Sequence, residues 1–201
     1  MNKGMEKEYK WRADEGLLGQ ALLWASSRIG TQSRTLHMQS QYFDTADGLL
    51  REQQAALRMR KENDRSVCCL KLRNENTPEG MRAHEEYECF AQTVAEGLSI
   101  LPKRGAPLTL CAQALAAPLE IICTVDFRRC AILLQQDNTV CELALDQGTL
   151  RHGDKTAPLC EIELEYVAGS EEAFHALAAE LAEHLSLVPE PESKLARAMK
   201  L

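Results

Sequence analysis

The 201-residue chain lacks long hydrophobic runs and an excess of basic residues. No apolar stretch approaches the roughly 20 residues that a membrane-spanning helix needs. The 23 Lys and Arg residues are outnumbered by 30 Asp and Glu, which gives a net charge of -7. This balance argues against general affinity for nucleic acid, because a phosphate backbone requires a basic surface. We therefore predict that the protein binds neither membranes nor nucleic acid.

The chain has eight cysteines but lacks the spacing typical of a metal site or a disulfide framework. None forms a CxxC pair, no signal peptide is evident, and several lie in apolar stretches such as "EIICTV", where free cysteine behaves as a small hydrophobe. We interpret them as reduced and structural, and predict a cytoplasmic protein. Internal repeats and low-complexity segments are also lacking, so residues 1–201 are predicted to form a single domain.

Hydrophobic periodicity predicts about eight strands with helices inserted between and after them, an α+β pattern rather than strict βαβ alternation. The stretches "AALRMRKE" and "SVCCLKLRNE", joined by "NDR", are typical of a hairpin, and a second hairpin is predicted at "QDNT". One helix is predicted between a cap at Asp14 and an end at Gly30, and another after a cap at Ser170. A broken helical region lies between Ala91 and Leu119, and a short helix is predicted around "ESKLARAMKL".

Charged residues fall on one face of strand after strand. In the opening stretch "EKEYK", Glu6, Glu8 and Lys10 share a face because alternate residues of a strand point the same way. The same alternation groups Arg58 with Arg60, Lys71 with Arg73, Glu86 with Glu88, Glu142 with Asp146, and Glu161 with Glu163 and Glu165. For any one strand, a solvated face is the simpler explanation. Taken together, the charged faces should lie on the side of a sheet that carries no helices.

If that sheet closes into a barrel, the charged faces line its interior. The interior would then hold roughly nine carboxylates and about eight cations, which include Arg129, Lys194 and Arg197. Burying so much charge without partners would be prohibitive, so we expect a wet cavity that binds a highly charged ligand. Clustered carboxylates favour Mg²⁺ or Mn²⁺, whereas clustered Arg and Lys favour phosphate oxygens. The pattern therefore predicts a site for a complex of a divalent metal with a polyphosphate.

"EKEYK" resembles the ExExK signature of the CYTH superfamily, also called triphosphate tunnel metalloenzymes. The resemblance continues through "QYFDTADGLLREQQAALRMRKE", "CLKLR", "HEEYE", "VDFRR", "ELALDQG", "CEIELE" and "SKLAR". It implies a closed eight-stranded antiparallel barrel with a charged lumen and helices packed outside. The chain differs from similar bacterial sequences at His84, where Arg is frequent, and in "CAILL" after "DFRR", where tryptophan is common. These differences bear on substrate preference.

The stretches "YFDT" and "ALDQG" most resemble bacterial inorganic triphosphatases. The resemblance therefore implies a Mg²⁺- or Mn²⁺-dependent hydrolase of tripolyphosphate, with nucleoside triphosphates as further substrates. Three alternatives stay open: a class IV-type adenylate cyclase, a thiamine triphosphatase, and a non-catalytic module that binds polyphosphate or nucleotide. In each case the ligand is a small molecule that contains a triphosphate or polyphosphate group.

The resemblance and the chemistry of phosphoryl transfer together suggest roles for individual residues. Phosphate binding is expected from Lys10, Arg58, Arg60, Lys71, Arg73, Arg129, Lys194 and Arg197. A first metal ion is expected at Glu6, Glu8, Glu161 and Glu163, and a second at Glu86 or Glu88, with Asp146 as a further ligand. The catalytic candidates are Lys71, Glu86, Glu88 and Tyr42, the last as a base-like dyad with Lys71. The roles of Glu142 and Glu165 stay open, and "SKLAR" has a second interpretation as a helix docked through its cap.

Overall fold

The computed structural model describes residues 4–28, 32–73, 81–136 and 138–201. Its strands are β1 (Gly4–Arg12), β2 (Gln32–Thr45), β3 (Ala55–Glu62), β4 (Arg65–Arg73), β5 (Met81–Phe90), β6 (Leu119–Gln136), β7 (Thr139–His152), β8 (Lys155–Ala168) and β9 (Val188–Pro189). The order around the sheet is β5-β4-β3-β2-β6-β7-β8-β1, and a further pairing of β1 with β5 closes the ring. All these pairs are antiparallel, and β9 adds to β1 outside the ring. The predicted closed eight-stranded antiparallel barrel is confirmed.

Six α-helices connect or follow these strands in the described part of the chain. They are α1 (Glu15–Ser26), α2 (Leu49–Glu52), α3 (Val94–Ile100), α4 (Leu108–Ala116), α5 (Glu171–Leu185) and α6 (Lys194–Ala198), with a 3-10 turn at Leu101–Arg104. Both predicted caps are present, since Asp14 accepts from the N–H of Leu17 and Ser170 from that of Ala173. No helix among the described residues is both long enough and apolar enough to span a bilayer.

Several details differ from the prediction or lie outside the described residues. The sequence did not predict α2 or β9, because a single helical turn and a two-residue strand are too short to show a period. The hairpin between β6 and β7 is confirmed by the pairing of Gln136 with Thr139. Asp137 of this turn and the predicted helix end at Gly30 lie outside the described residues, and α1 ends at Ser26.

Two hydrophobic clusters lie on the outer face of the barrel and attach the helices. In the first, Phe174 of α5 packs with Trp11 of β1 and Ile162 of β8, and α1 contributes Ala21. In the second, α3 and α4 pack over β3, β4 and β5, with Leu57, Leu70, Tyr87, Leu98 and Leu110 among the buried side chains. The apolar residues of the strands therefore face the helices, as the alternation predicts, and the charged residues between them face the barrel interior.

A third hydrophobic cluster occupies part of the interior. Phe127 lies two residues before Arg129 on the same face of β6, and it packs with Met38 of β2 and Leu150 of β7. Helix α6 contributes the fully buried Ala198 to this cluster. Thus α6 packs against interior-facing side chains and carries Lys194 to the charged part of the lumen.

Candidate active site

The barrel encloses a cavity of about 1290 Å³ to which every barrel strand contributes a charged side chain. Thirteen of the predicted site residues line it: Glu6, Glu8, Lys10, Tyr42, Arg58, Arg60, Lys71, Arg73, Glu86, Glu88, Arg129, Glu163 and Lys194. The other three, Asp146, Glu161 and Arg197, lie next to the lining, and the carboxylates of Asp146 and Glu161 are fully buried. The structure thus brings residues from all eight barrel strands around one enclosed space.

Lys71 is the centre of a first group of ion pairs, here called the Lys71 cluster, which also contains Glu6, Glu86 and Arg58. The register pairs Lys71 of β4 with Glu86 of β5, and places β1 beyond β5. The Lys71 ammonium contacts Glu6 and lies 3.2 Å from Glu86, while Arg58 donates to Glu86 at 3.2 Å. One lysine therefore bridges two carboxyl groups from neighbouring strands.

The two carboxyl groups of the Lys71 cluster favour opposite protonation states. Burial raises the pKa of Glu6 well above its usual value, an effect that Lys71 opposes and Glu86 reinforces. Burial alone would also raise the pKa of Glu86, but Lys71 and Arg58 overcome this effect and hold it well below the usual value. Two carboxyl groups beside one ammonium commonly separate in this way, because both cannot be equally compensated.

Beside the Lys71 cluster, Arg60 donates to Glu88 at 3.1 Å. Cys69 lies two residues before Lys71 on the interior face of β4, and its thiol donates a hydrogen bond to Glu86 at 2.8 Å. The ligand atoms of Cys69, Glu86 and Glu88 lie within 4.8 Å of one another, so these residues could hold a metal ion. In this structure the two carboxylates instead contact arginine and lysine side chains.

A second group of ion pairs, the Arg129 cluster, comprises Arg129, Asp146, Glu163, Glu161, Lys194 and Arg197. The guanidinium of Arg129 donates two bonds of 2.7 Å to Asp146, its partner across β6 and β7, and one of 2.6 Å to Glu163 of β8. Bidentate pairs of this kind are short and directional, so they fix the carboxylates as well as the guanidinium. The Arg129 side chain is therefore held rigidly in the wall of the cavity.

Helix α6 supplies the remaining cations of the Arg129 cluster. Lys194 contacts Glu161 and lies 2.8 Å from Asp146 and 3.0 Å from Glu163, while Arg197 donates to Glu161 at 2.8 Å. Burial raises the pKa of Glu161 to about 7, although Lys194 opposes this shift. The acidic groups of Asp146, Glu161 and Glu163 also lie within 4.8 Å of one another, which is suitable for a metal ion.

Two further carboxylates in the cavity, Glu8 and Glu165, form an unpaired set. They lie opposite each other across β1 and β8, and among the described residues neither makes a hydrogen bond or an ion pair. Burial raises the pKa of Glu165 to about 7, although the charges of Lys71 and Arg129 oppose this shift, and Glu8 adds to it. Like charges placed directly opposite are destabilising, so a cation between them would be favourable. The sequence left the role of Glu165 open. In the structure, Glu165 lies directly opposite Glu8 on the neighbouring strand.

Three further residues of the cavity lining, Tyr42, Lys10 and His84, have surroundings that the sequence did not predict. The predicted dyad of Tyr42 with Lys71 is not formed: Tyr42 lies in the interior hydrophobic cluster, opposite Arg58 on the neighbouring strand. Lys10 is buried and donates to the carbonyl oxygen of Glu192 at 2.6 Å. Burial lowers the pKa of His84 to about 4, and Lys71 adds to this shift, so His84 is neutral where an arginine would carry charge.

Sequence reasoning missed Arg34 and Arg82, which also line the cavity. Arg34 donates to Glu142 at 2.9 Å, and Arg82 donates to the carbonyl oxygen of Glu190 at 3.0 Å. Arg34 was missed because β2 begins at Gln32, earlier than its apolar residues indicate. Arg82 is in phase with Glu86 on β5, and extending the alternation backwards would have identified it.

Comparisons with known proteins agree with the closed barrel described above. The CYTH domain family matches residues 4–199. The inorganic triphosphatase of Haemophilus influenzae is 27% identical over 144 residues, which is 69% of this chain but only 38% of that protein. A Hippeastrum protein with a reported dominant triphosphatase activity shares the fold, with a TM-score of 0.62, 20% identity and coverage of 98% of this chain and 96% of its own. A Bacillus halodurans protein provisionally named an adenylate cyclase has the same score and identity, with 98% of each chain covered. This chain belongs to the CYTH domain family.

Proposed function

We propose that this protein is a divalent-metal-dependent hydrolase of inorganic triphosphate that also accepts nucleoside triphosphates. The observation that supports it best is the division of charge within one cavity. The wall formed by β3 and β4 carries Arg58, Arg60 and Lys71, whereas Glu8 and Glu165 face the same space with no cation partner among the described residues. Such a cavity suits a ligand with phosphate oxygens at one side and a metal ion at the other.

The proposed metal ligands are Glu6 and Glu8 of β1 with Glu163 and Glu165 of β8. All four line the cavity, and Glu8 lies directly opposite Glu165 on the paired strands β1 and β8, with Glu6 and Glu163 each two residues away along their own strand. Carboxylate oxygens are the ligands that Mg²⁺ and Mn²⁺ prefer. When bound, the ion would neutralise charge on the phosphate oxygens and lower the pKa of a water molecule. A second ion at Glu86 and Glu88 would have to displace the contacts these residues make with Arg58 and Arg60.

The proposed phosphate ligands are the cations that line the cavity, chiefly Arg58, Arg60, Lys71 and Arg129. Each already contacts a carboxylate, so its position is fixed before substrate arrives. Phosphoryl transfer depends mainly on positioning and on stabilising charge that develops on the phosphate oxygens. Of the four catalytic candidates, Lys71, Glu86, Glu88 and Tyr42, we propose Lys71 and Glu86 as the pair that acts on the substrate, because their charged groups lie 3.2 Å apart in the cavity. Arg73 and Lys10 extend the cationic lining. We also propose that residues 1–201 act as one domain in the cytoplasm.

The test is a panel of phosphate-release assays on tripolyphosphate, ATP and thiamine triphosphate, with cyclic AMP measured in parallel. Each substrate is tested with Mg²⁺, with Mn²⁺ and with a chelator. We expect phosphate release from tripolyphosphate that depends on the metal. Cyclic AMP with pyrophosphate would instead indicate a cyclase, and tight binding without turnover would indicate a binding module.

Variants connect this activity to the cavity. Lys71→Ala is compared with Lys61→Ala, an exposed lysine on the neighbouring strand, and Glu165→Gln with Glu172→Gln, an exposed glutamate at the start of α5. We expect Lys71→Ala to abolish turnover, and Glu165→Gln to raise the metal concentration required for half-maximal rate. Full activity in both cavity variants would refute the proposed site.

A further inference from the structure

One end of the barrel carries arginine side chains that lie outside the ion pairs of the lumen. We propose that Arg51, Arg73 and Arg82, here called the arginine rim, form an outer subsite that binds phosphate groups beyond the third in a linear polyphosphate. The inference rests on the proposed function, because a triphosphate bound at Lys71 supplies the first three phosphate groups. It adds a substrate class to that function, namely polyphosphates longer than tripolyphosphate.

The three arginines lie at the same end of the barrel, although they come from different elements. Arg73 is the last residue of β4, and its partner across the sheet is His84, two residues after Arg82 on β5. Arg51 lies in α2, which connects β2 to β3 at this end. All three line the cavity that also contains Lys71. The arginine rim therefore borders the same space as the inner cations.

Backbone contacts join α2 to the end of β4 and keep Arg51 beside the cavity. The carbonyl oxygen of Gln54 accepts from the backbone N–H of Arg73 at 3.1 Å. The guanidinium of Arg51 lies against Gly48, where an added Cβ would be 2.5 Å from its Nη2 atom. Gly48 also has a φ of 77°, a left-handed conformation that favours glycine. A side chain at position 48 would therefore displace the Arg51 guanidinium from the place it now occupies.

The arginine rim differs from the inner cations in its electrostatic partners. Each inner cation forms an ion pair with a carboxylate, and these cations are Arg58, Arg60, Lys71 and Arg129. Arg82 donates instead to the carbonyl oxygen of Glu190 at 3.0 Å, which leaves its charge uncancelled. None of the three rim arginines forms an ion pair with a residue that the structure describes. The rim therefore offers positive charge to an anionic ligand without first breaking a contact to a carboxylate.

Acidic side chains at this end of the barrel do not neutralise the rim. Asp44 of β2 accepts from the backbone N–H groups of Leu50 at 2.8 Å and Arg51 at 3.2 Å, so its carboxylate is used by the first turn of α2. Glu192 contacts Lys200. Glu120 is exposed on β6, which is separated from β4 by β2 and β3. The positive side of this opening is therefore the one formed by α2, β4 and β5.

A linear polyphosphate fits this arrangement better than a nucleoside does. Lys71 and Arg73 are alternate residues on the interior face of β4, about 6.8 Å apart along the strand, so a phosphate chain bound at Lys71 reaches the rim by continuing along β4. Each added phosphate group brings negative charge and oxygen atoms that an arginine can bind with two hydrogen bonds. A ribose and a base bring no negative charge to the rim. The rim should therefore favour tetrapolyphosphate over a nucleoside triphosphate.

The test compares the binding of tripolyphosphate, tetrapolyphosphate and ATP to the full chain by calorimetry, with a chelator present to prevent metal-dependent turnover. The rim variant combines Arg51→Gln with Arg82→Gln, and the matched control is Arg65→Gln, an exposed arginine at the other end of β4. We expect the wild type and the control to bind tetrapolyphosphate about tenfold more tightly than tripolyphosphate. The rim variant should lose this preference, and its affinity for ATP should fall no more than its affinity for tripolyphosphate. Added salt should reduce the preference of the wild type, because the rim is partly exposed.

Equal affinities of the wild type for tripolyphosphate and tetrapolyphosphate would overturn the proposal, and so would an equal loss for all three ligands in the rim variant. A loss confined to ATP would also overturn it, because the rim would then hold a nucleoside. Arg73→Gln alone provides a second test if the rim variant folds poorly, since it should also reduce the preference for tetrapolyphosphate. The titrations do not depend on turnover. A preference for tetrapolyphosphate in a protein that releases no phosphate would therefore support the subsite and contradict only the proposed function.

Discussion

Replacing Arg129 with methionine should destabilise the barrel strongly, because the arginine neutralises the fully buried carboxylate of Asp146 and the largely buried one of Glu163. Its guanidinium donates two bonds of 2.7 Å to Asp146, whose side chain is fully buried, and one of 2.6 Å to Glu163. Methionine keeps much of the aliphatic volume but donates no hydrogen bond. The variant therefore removes charge compensation with little change in packing.

The expected decrease in the free energy of unfolding depends on which partners of Asp146 and Glu163 remain in the variant. Removing one member of a buried ion pair costs about 3–5 kcal/mol. Lys194 still contacts both Asp146 and Glu163 in the variant, so we expect the lower end of this range, about 3 kcal/mol. For a chain of this size each kcal/mol lowers the Tm by about 2–4 °C, which predicts a decrease of about 6–12 °C.

The assay is equilibrium unfolding in urea at neutral pH with a chelator present, supported by thermal unfolding. Arg128→Met is the matched control, because Arg128 is the preceding residue on β6 and is exposed on the opposite face. It should change the free energy of unfolding by no more than about 0.5 kcal/mol. Combining Arg129→Met with Asp146→Asn should cost less than the sum of the single changes. Equal effects of Arg129→Met and Arg128→Met would refute the reasoning.

Three further predictions concern packing, backbone contact and pH. Phe174→Ala should lower the free energy of unfolding by about 3–5 kcal/mol, measured in urea, because this fully buried ring joins α5 to the barrel. Gly148→Ala should lower the Tm, because a Cβ at this position would lie 2.1 Å from a backbone oxygen of β6. In contrast, Gly19→Ala in α1 should raise the Tm, because the added Cβ meets nothing within 4 Å and alanine is favoured over glycine inside a helix. Burial lowers the pKa of His84 from 6.5 to about 4, so the folded state favours the neutral imidazole. The contribution of His84 to the free energy of unfolding is therefore fully present above pH 6.5 and is lost as the pH falls towards 4. Urea unfolding at pH 7 and pH 5 should therefore show a larger loss in the wild type than in His84→Gln, and equal losses would contradict this.

The barrel and the contents of its interior could be predicted because a strand has a period of two. Alternation alone shows that Arg58 and Arg60 share a face, and that Glu161, Glu163 and Glu165 share another. The structure confirms that these faces turn inward and that the helices attach to the apolar faces.

The partners of each charge could not be predicted, because they depend on the register and on the closure of the ring. Lys71 contacts Glu6 only because β1 closes the barrel next to β5, at a separation in sequence that no local pattern encodes. The position of α6 likewise depends on its packing against the barrel and not on a local sequence pattern. Lys194 is expected in the lumen from the sequence, but a five-residue helix shows too little periodicity to predict which carboxylates it contacts.

The ion pairs of the lumen explain how the barrel accommodates so much charge, and they give a reason to expect that metal and phosphate bind together. A phosphate bound to Arg58 would compete with Glu86 for the guanidinium, and a weaker contact would leave this buried carboxylate less well compensated. A divalent ion nearby would offset that cost, and it would itself be held more strongly once phosphate oxygens complete its ligands. In the proposed function, each ligand therefore lowers the cost of binding the other. The Arg129 cluster differs because α6 supplies two of its three cations, so Lys194 and Arg197 still contact its carboxylates when Arg129 also binds a phosphate.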